Sequence, residues 1–163
     1  MQILGRAINR VNRIVSNAAD ARGRKRTRPV MYADLVVPDH NGGEDYGWLA
    51  GGGRRQPYWP AVKELDADLD PVMISWEYDT SAYTRRFIKD DPAFFQNYSI
   101  SWTGASWTSL ENIHLWADAL RDSKKSYGDA STAAGMICTN WGGGRIEAGL
   151  APTAAIAWNL REP

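Results

Sequence analysis

Gly135-Met136-Ile137-Cys138-Thr139-Asn140-Trp141-Gly142-Gly143-Gly144 is the stretch whose reading decides the fold. Gly135 to Cys138 is a short apolar run opened by a small residue, the pattern of a strand buried on both faces of a parallel sheet. It stops at Thr139, Asn140 and Trp141, which set a hydroxyl, an amide and a large ring at the strand's carboxyl end before three glycines. In parallel α/β folds that edge is where ligands bind. A core-capping tryptophan followed by a glycine turn is the competing reading, and recurrence of the pattern elsewhere weighs against it.

The recurrences lie upstream. Pro71-Val72-Met73-Ile74-Ser75 is an apolar strand that turns abruptly into Trp76-Glu77-Tyr78-Asp79. Gln96 to Trp102 reads as another strand, followed by Thr103-Gly104-Ala105-Ser106-Trp107. Pro29 to Val37, rich in β-branched and aromatic residues and closed by Pro38, reads as the first strand.

Helical patterns separate these strands. The first spans roughly residues 2–21 and precedes strand one. Ala61 to Leu65 gives a short helix after a long glycine-rich loop over 38–60, a length that in compact domains goes with function or mobility. Ser81 to Lys89 is helical by the spacing of Tyr83, Phe87 and Ile88, while Phe94 and Phe95 have no evident place. Thr108 or Ser109 caps a helix that runs to about Ser126, with Glu111 as the capping-box acid if Thr108 is the cap. Pro152 fits the first turn of a last helix. The order is one helix and then four β-loop-α units, so the strands run parallel and their carboxyl ends face one way.

Composition bounds what such a chain can do. It has 163 residues, 44% hydrophobic and 23% charged, which fits one domain with a core of its own. Within it, residues 1–28 form a basic amphipathic helix and connection, and residues 29–163 form the four βα units. No apolar run approaches the roughly 18–20 residues of a membrane-spanning helix, and the first residues lack the layout of a secretory signal. The expectation is a soluble protein, cytoplasmic by default, without a membrane partner. Cys138 is the only cysteine, and His40 and His114 are far apart. A disulfide framework and a metal site are therefore not expected, and neither is a cofactor.

The zero net charge conceals an asymmetry. Residues 1–28 hold eight Arg or Lys against one Asp, a balance of +7 that the remaining residues offset. Arg6, Arg10 and Arg13 lie on one helical face, opposite Leu4, Ala7, Ile8, Val11, Ile14, Val15 and Ala18, and read as its solvated face. The run over 22–28 has no interleaved aromatic residues for base stacking, which disfavours a nucleic-acid partner.

At the common rim the sequence gathers Tyr32, Asp34, Trp76, Glu77, Tyr78, Asp79, Trp102, Trp107, Asn140 and Trp141. Aromatic rings with a few carboxylates and amides suit a sugar, whose C–H faces stack on indoles while its hydroxyls need polar partners. A nucleotide is less suited, because neither GxGxxG nor GxxxxGK[ST] occurs. No histidine is placed by spacing to activate Ser101 or Ser106 as a nucleophile.

PVMYADLVV, LDPVMISWEYD, FQNYSISWTGASW, AAGMICTNWGGG and APTAAIAWNL together resemble the carboxyl-terminal half of glycoside hydrolase family 20 and related barrel glycosidases. The resemblance spans about residues 1–161 and rests on short aromatic motifs. It implies a partial (β/α)8 TIM barrel, with four βα units corresponding to strands five to eight. It also implies a pocket for a terminal N-acetylhexosamine lined by Tyr32, Trp76, Tyr78, Trp102 or Trp107, and Trp141, with Asp34, Glu77 and Asn140 as sugar contacts. In that family an adjacent Asp-Glu pair after the fourth strand carries catalysis, the substrate's acetamido group acting as nucleophile. This chain has no Asp-Glu dipeptide. Glu77, two residues from Asp79, is the nearest substitute, and acid catalysis there would require a raised pKa.

Two expectations from different classes follow. The chain is a β-N-acetylhexosaminidase-like hydrolase fragment or split-barrel component, inactive alone, whose partner is an N-terminal half-barrel or a second copy. Alternatively it is a non-catalytic sugar-binding or structural α/β domain.

Overall fold

Short apolar runs punctuated by longer amphipathic ones fold here into alternating strands and helices. The computed structural model describes residues 2–25, 28–33, 64–66, 68–140 and 145–159. In chain order these form α1 (Gln2–Asp20), β1 (Val30–Tyr32), β2 (Val72–Trp76), α2 (Ala82–Asn97), β3 (Ser101–Ser106), α3 (Leu110–Tyr127), β4 (Ala133–Cys138) and α4 (Ile146–Asn159). The protein is thus α/β, with β2, β3 and β4 consecutive in its sheet order. Its contacts divide it into two compact units, residues 1–71 and 72–163.

In the first unit, α1 is held to the segment before β2 by polar bonds. Asn9 Nδ2 donates to the Glu64 carbonyl at 2.7 Å and Asp66 Oδ1 at 3.0 Å, and Arg13 pairs with Asp66 at 2.8 Å. Gly5, Ile8, Asn9 and Asn12 are covered, whereas Val11, Ile14 and Val15 face outward. The apolar face read from the sequence is therefore largely solvent-exposed. Of the strand expected over 29–37, β1 covers Val30–Tyr32 with Ala33 turning beyond it, and residues 34–37, with the 38–60 loop and residues 61–63, lie outside the described residues.

In the second unit, β2 pairs parallel with β3, Val72 opposite Ser101 through Trp76 opposite Ala105. β3 pairs parallel with β4, with a register shift at Trp102/Thr103. Ala134 is the extra residue of this bulge, and Gly135 follows it at φ 144°, a conformation that favours glycine.

Strand alternation sorts the side chains onto two faces. Ser75 donates a hydrogen bond to Asp91 on α2, Trp102 packs beside Phe95 of α2 and Trp116 of α3, and Ser106 shares one with Thr153 on α4. Registered with them are Met73, Gly104, Met136 and Cys138. All three helices of this unit therefore cover one face of the three strands. The other face carries Ile74, Trp76, Thr103, Ala105, Gly135 and Ile137.

Three boundaries differ from the sequence pattern, each for a physical reason, and the α3 cap settles on one of the two residues expected. α2 runs on to Asn97 through Pro92, which removes one backbone donor. Burial of Asp91, Pro92 and Phe95 against the sheet outweighs that loss, and it gives Phe94 and Phe95 their place. β3 begins at Ser101 rather than Gln96, because Gln96 closes α2 and its side chain bridges the Ala130 carbonyl and the Thr132 N–H. α3 is capped by Ser109, whose hydroxyl accepts from the Asn112 N–H at 3.3 Å, so Glu111 pairs with Arg85 instead of completing a capping box. Pro152 lies inside α4, not in its first turn, since the helix starts at Ile146.

β4 also departs from the doubly buried strand expected. As the outer strand of the order, it is buried only at Ala133, exposed at Ala134 and half-buried from Gly135 to Cys138.

Candidate functional site

The carboxyl ends of β2 and β3 bring three of the expected rings together. Trp76, the last residue of β2, and Tyr78 point to the same side because they are two apart in extended chain. Their ring centroids lie 5.2 Å apart with planes inclined 28°. Tyr78 in turn lies 6.0 Å from Trp107, which follows β3, at 59°. All three rings are half-buried, so each keeps an accessible part.

The turn that carries Trp76 and Tyr78 is pinned from below. The Glu77 carbonyl accepts from Asn112 Nδ2 at 2.7 Å and from Trp116 Nε1 at 3.2 Å, and the Asp79 carbonyl accepts from Asn112 Nδ2 at 3.1 Å. Asn112 and Trp116 are fully buried on α3. Neither is among the residues that the sequence pattern gathers at the rim. The available signal is their spacing, i and i+4 on one helical face.

The post-β3 and β4 ends are joined similarly. Thr139 donates to the Ser106 carbonyl through its N–H at 2.9 Å and its hydroxyl at 2.8 Å, leaving Asn140 exposed just beyond. A Cβ at Gly149 on α4 would stand 2.7 Å from the Trp107 carbonyl oxygen and 2.9 Å from Cys138 Sγ, so a glycine is needed for that approach.

Trp102 is a correction. It is the second residue of β3, has no exposed surface, and sits among Phe95 (6.0 Å) and Trp116 (6.4 Å). The strand starts later than its pattern suggests, which moves this indole from the rim to the amino-terminal end of the core. Tyr32 ends β1 in the first unit and is 43% exposed. Asp34 and Trp141 lie outside the described residues.

The acids divide into distinct environments. Asp79 accepts from the Thr84 hydroxyl and from the Ser81 N–H at 2.9 Å. These bonds, Thr84 first, hold its carboxyl below the ordinary carboxylate range. Those bonds tie Asp79 to the turn before Ser81, the α2 N-cap, and favour its ionised form over that of a proton donor. Asp91, 3% exposed on α2, is the opposite case. Burial pushes its pKa well up against the Ser75 hydrogen bond, and the charges of Glu77 and Asp90 add to the rise. Glu77 itself, between Trp76 and Tyr78 in sequence, is half-buried.

Two indole donors, Trp102 Nε1 and Trp107 Nε1, and the Asn112 Oδ1 acceptor are buried without partners among the described residues. A separate groove of about 400 Å³ is lined by α2 and α3 alone, including Ile88, Pro92, Leu115 and Tyr127, and takes no residue from the strand ends. Among the described residues no group of three His, Cys, Asp or Glu side chains is placed to hold a metal ion, and no helix is long and apolar enough to cross a membrane. No family profile matches the chain, and no curated protein matches it in sequence.

Proposed function

We propose that this chain is a carbohydrate-binding part of a glycosidase barrel, holding a terminal N-acetylhexosamine at the carboxyl ends of its strands. The observation that carries this reading is the Trp76–Tyr78–Trp107 cluster, three half-buried rings at one end of parallel strands. Such rings offer a sugar's C–H face an apolar surface, while Glu77 and Asn140 supply acceptors and a donor for hydroxyls. A partial (β/α)8 barrel is the finer fold proposal. It is supported by strands in sequential order and by three helices on one face of β2, β3 and β4, where a doubly wound sheet has helices on both. The remaining units would come from an N-terminal half-barrel or from a second copy.

Hydrolysis by this chain alone is not part of the proposal. Asp79 is engaged at the start of α2, and no Asp-Glu dipeptide is present. Glu77, between Trp76 and Tyr78 in sequence, is the candidate general acid if activity is found.

The test is a titration with N-acetylglucosamine followed by tryptophan fluorescence, with melting curves and a chromogenic hexosaminide assay alongside. Tyr78→Ala should weaken binding at least several-fold with little change in melting. Trp102→Ala should instead cost about 3–5 kcal/mol of stability, as a buried indole does. Absence of binding in the wild type would leave a structural α/β domain. Strong turnover would make Glu77→Gln the next variant.

A further inference from the structure

Basic residues surround an outward-facing apolar stripe on α1. With about 100° between successive residues, Gly5, Ile8, Asn9, Asn12, Ser16 and Ala19 fall on one side of the helix and are buried or half-buried. Ala7, Val11, Ile14, Val15 and Ala18 fall roughly a third of a turn away and face outward, with Val11 60% and Ile14 61% exposed. Arg6, Arg10 and Arg13 make a third row, also exposed. The bonds of Asn9 and Arg13 to Glu64 and Asp66 hold the helix in this rotation.

The end of the helix adds further cations. Gly23, at φ 59°, donates its N–H to the Asp20 carbonyl at 3.0 Å, and Arg24 donates its own to the Ala19 carbonyl at 2.9 Å. This pair of bonds is a Schellman turn, and it brings Arg22, Arg24 and Lys25 round the last turn of α1. These three and Arg10 are exposed and form no ion pair among the described residues, whereas Arg13 pairs with Asp66 and Arg28 with Asp70. Asp20 is the only acid in residues 1–28. By helical spacing it lies on the side of α1 away from the stripe.

We propose that α1 is a membrane-surface helix that lies on an anionic phospholipid bilayer, with Val11, Ile14 and Val15 at the acyl boundary and Arg10, Arg22, Arg24 and Lys25 on the headgroups. Charge complementarity selects this occupant. A second copy would bring another basic segment of the same sign against the first, whereas an anionic surface attracts it. Nucleic acid would engage the cations and leave the stripe in water. A groove on an acidic protein binds most strongly through large anchors that fill pockets, and this stripe has only Val, Ile and Ala. A fluid acyl boundary requires no such fit. The apolar load is modest, so it holds the helix only together with the basic residues, and the attachment is reversible.

Membrane attachment does not depend on sugar binding and is tested apart from it. Flotation of the full chain with phosphatidylcholine vesicles should show little binding, and inclusion of phosphatidylserine should produce it. Salt at 1 M, which shortens the screening length to about 3 Å, should abolish it. The Arg22→Gln, Arg24→Gln, Lys25→Gln variant should bind about a hundredfold more weakly, each basic residue near the surface contributing roughly a factor of five. The Val11→Gln, Ile14→Gln variant should lose about tenfold or more, with unchanged circular dichroism because both side chains are already exposed. Four results would each overturn the proposal. They are a wild type that ignores phosphatidylserine vesicles, equal binding to phosphatidylcholine alone, undiminished binding by the triple variant, and undiminished binding by the Val11→Gln, Ile14→Gln variant. The last would leave a purely electrostatic patch for phosphate or nucleic acid.

Discussion

Asp91 offers the sharpest test of how the second unit is held together. It is almost fully buried on α2, accepts a hydrogen bond from Ser75 on β2, and has its proton affinity raised chiefly by burial. The folded state thus holds the Asp91 proton more tightly than the unfolded chain, where a carboxyl titrates near pH 3.9. The stabilisation from this proton is fully present below the unfolded value. It is lost as pH rises toward and through the folded value. In that window the native state binds one more proton than the unfolded state, so stability falls by about 1.4 kcal/mol per pH unit.

Asp91→Asn removes the titration while keeping the volume and an oxygen for the Ser75 hydroxyl. At pH 4 the variant should equal the wild type or fall below it by about 1–3 kcal/mol if its new amide N–H groups find no acceptor. As pH rises, its stability relative to the wild type should climb by about 1.4 kcal/mol per unit and level off where native Asp91 ionises. Urea unfolding of both proteins at half-unit steps from pH 4 upward measures the difference directly. Parallel stability curves would refute the buried, proton-holding acid. A wild type that gains on the variant as pH rises would reverse the sign of the shift.

Two further perturbations probe the frame. A Cβ at Gly104 would stand 2.6 Å from Trp116 Cε3 and 2.8 Å from Cδ2. Gly104→Ala should therefore cost about 1–3 kcal/mol by overpacking, and a change under half a kcal/mol in chemical denaturation would contradict the fit of Trp116 against β3. Ser109→Ala should cost about 1 kcal/mol by removing the α3 cap, and Ser109→Asp should restore most of it. An Asp variant no more stable than Ala would count against the cap.

How far the sequence could be read depended on whether local chemistry decided each position. The apolar runs at Val72 and Gly135 mark their elements, because periodicity is a local property. The α2–β3 boundary was not legible in the same way. Asp90-Asp91-Pro92 carries every local signal of a helix end, and only burial of Asp91 and Phe95 against the sheet carries the helix through it. That shift hides Trp102, whose position relative to the strand start decides between core and rim. α1 misled for the converse reason. Its apolar stripe is plain in the sequence, but the bonds of Asn9 and Arg13 to residues more than fifty positions away turn a different face inward.

Rim and core in this second unit are one construction rather than a site laid over a scaffold. Trp102 packs beside Trp116, Trp116 lies over Gly104, and its indole N–H reaches the Glu77 carbonyl, to which Asn112 also donates. Through that carbonyl the core sets the position of the turn carrying Trp76 and Tyr78. The ring cluster is therefore fixed by side chains that never reach its surface. On the proposed function, a sugar ring would gain from that fixity because little ordering would remain to oppose its binding. The same linkage explains why the three rings are identifiable in sequence only as a pattern at strand ends. Their mutual distances depend on Asn112 and Trp116, which read as ordinary helix interior until the turn above them is seen.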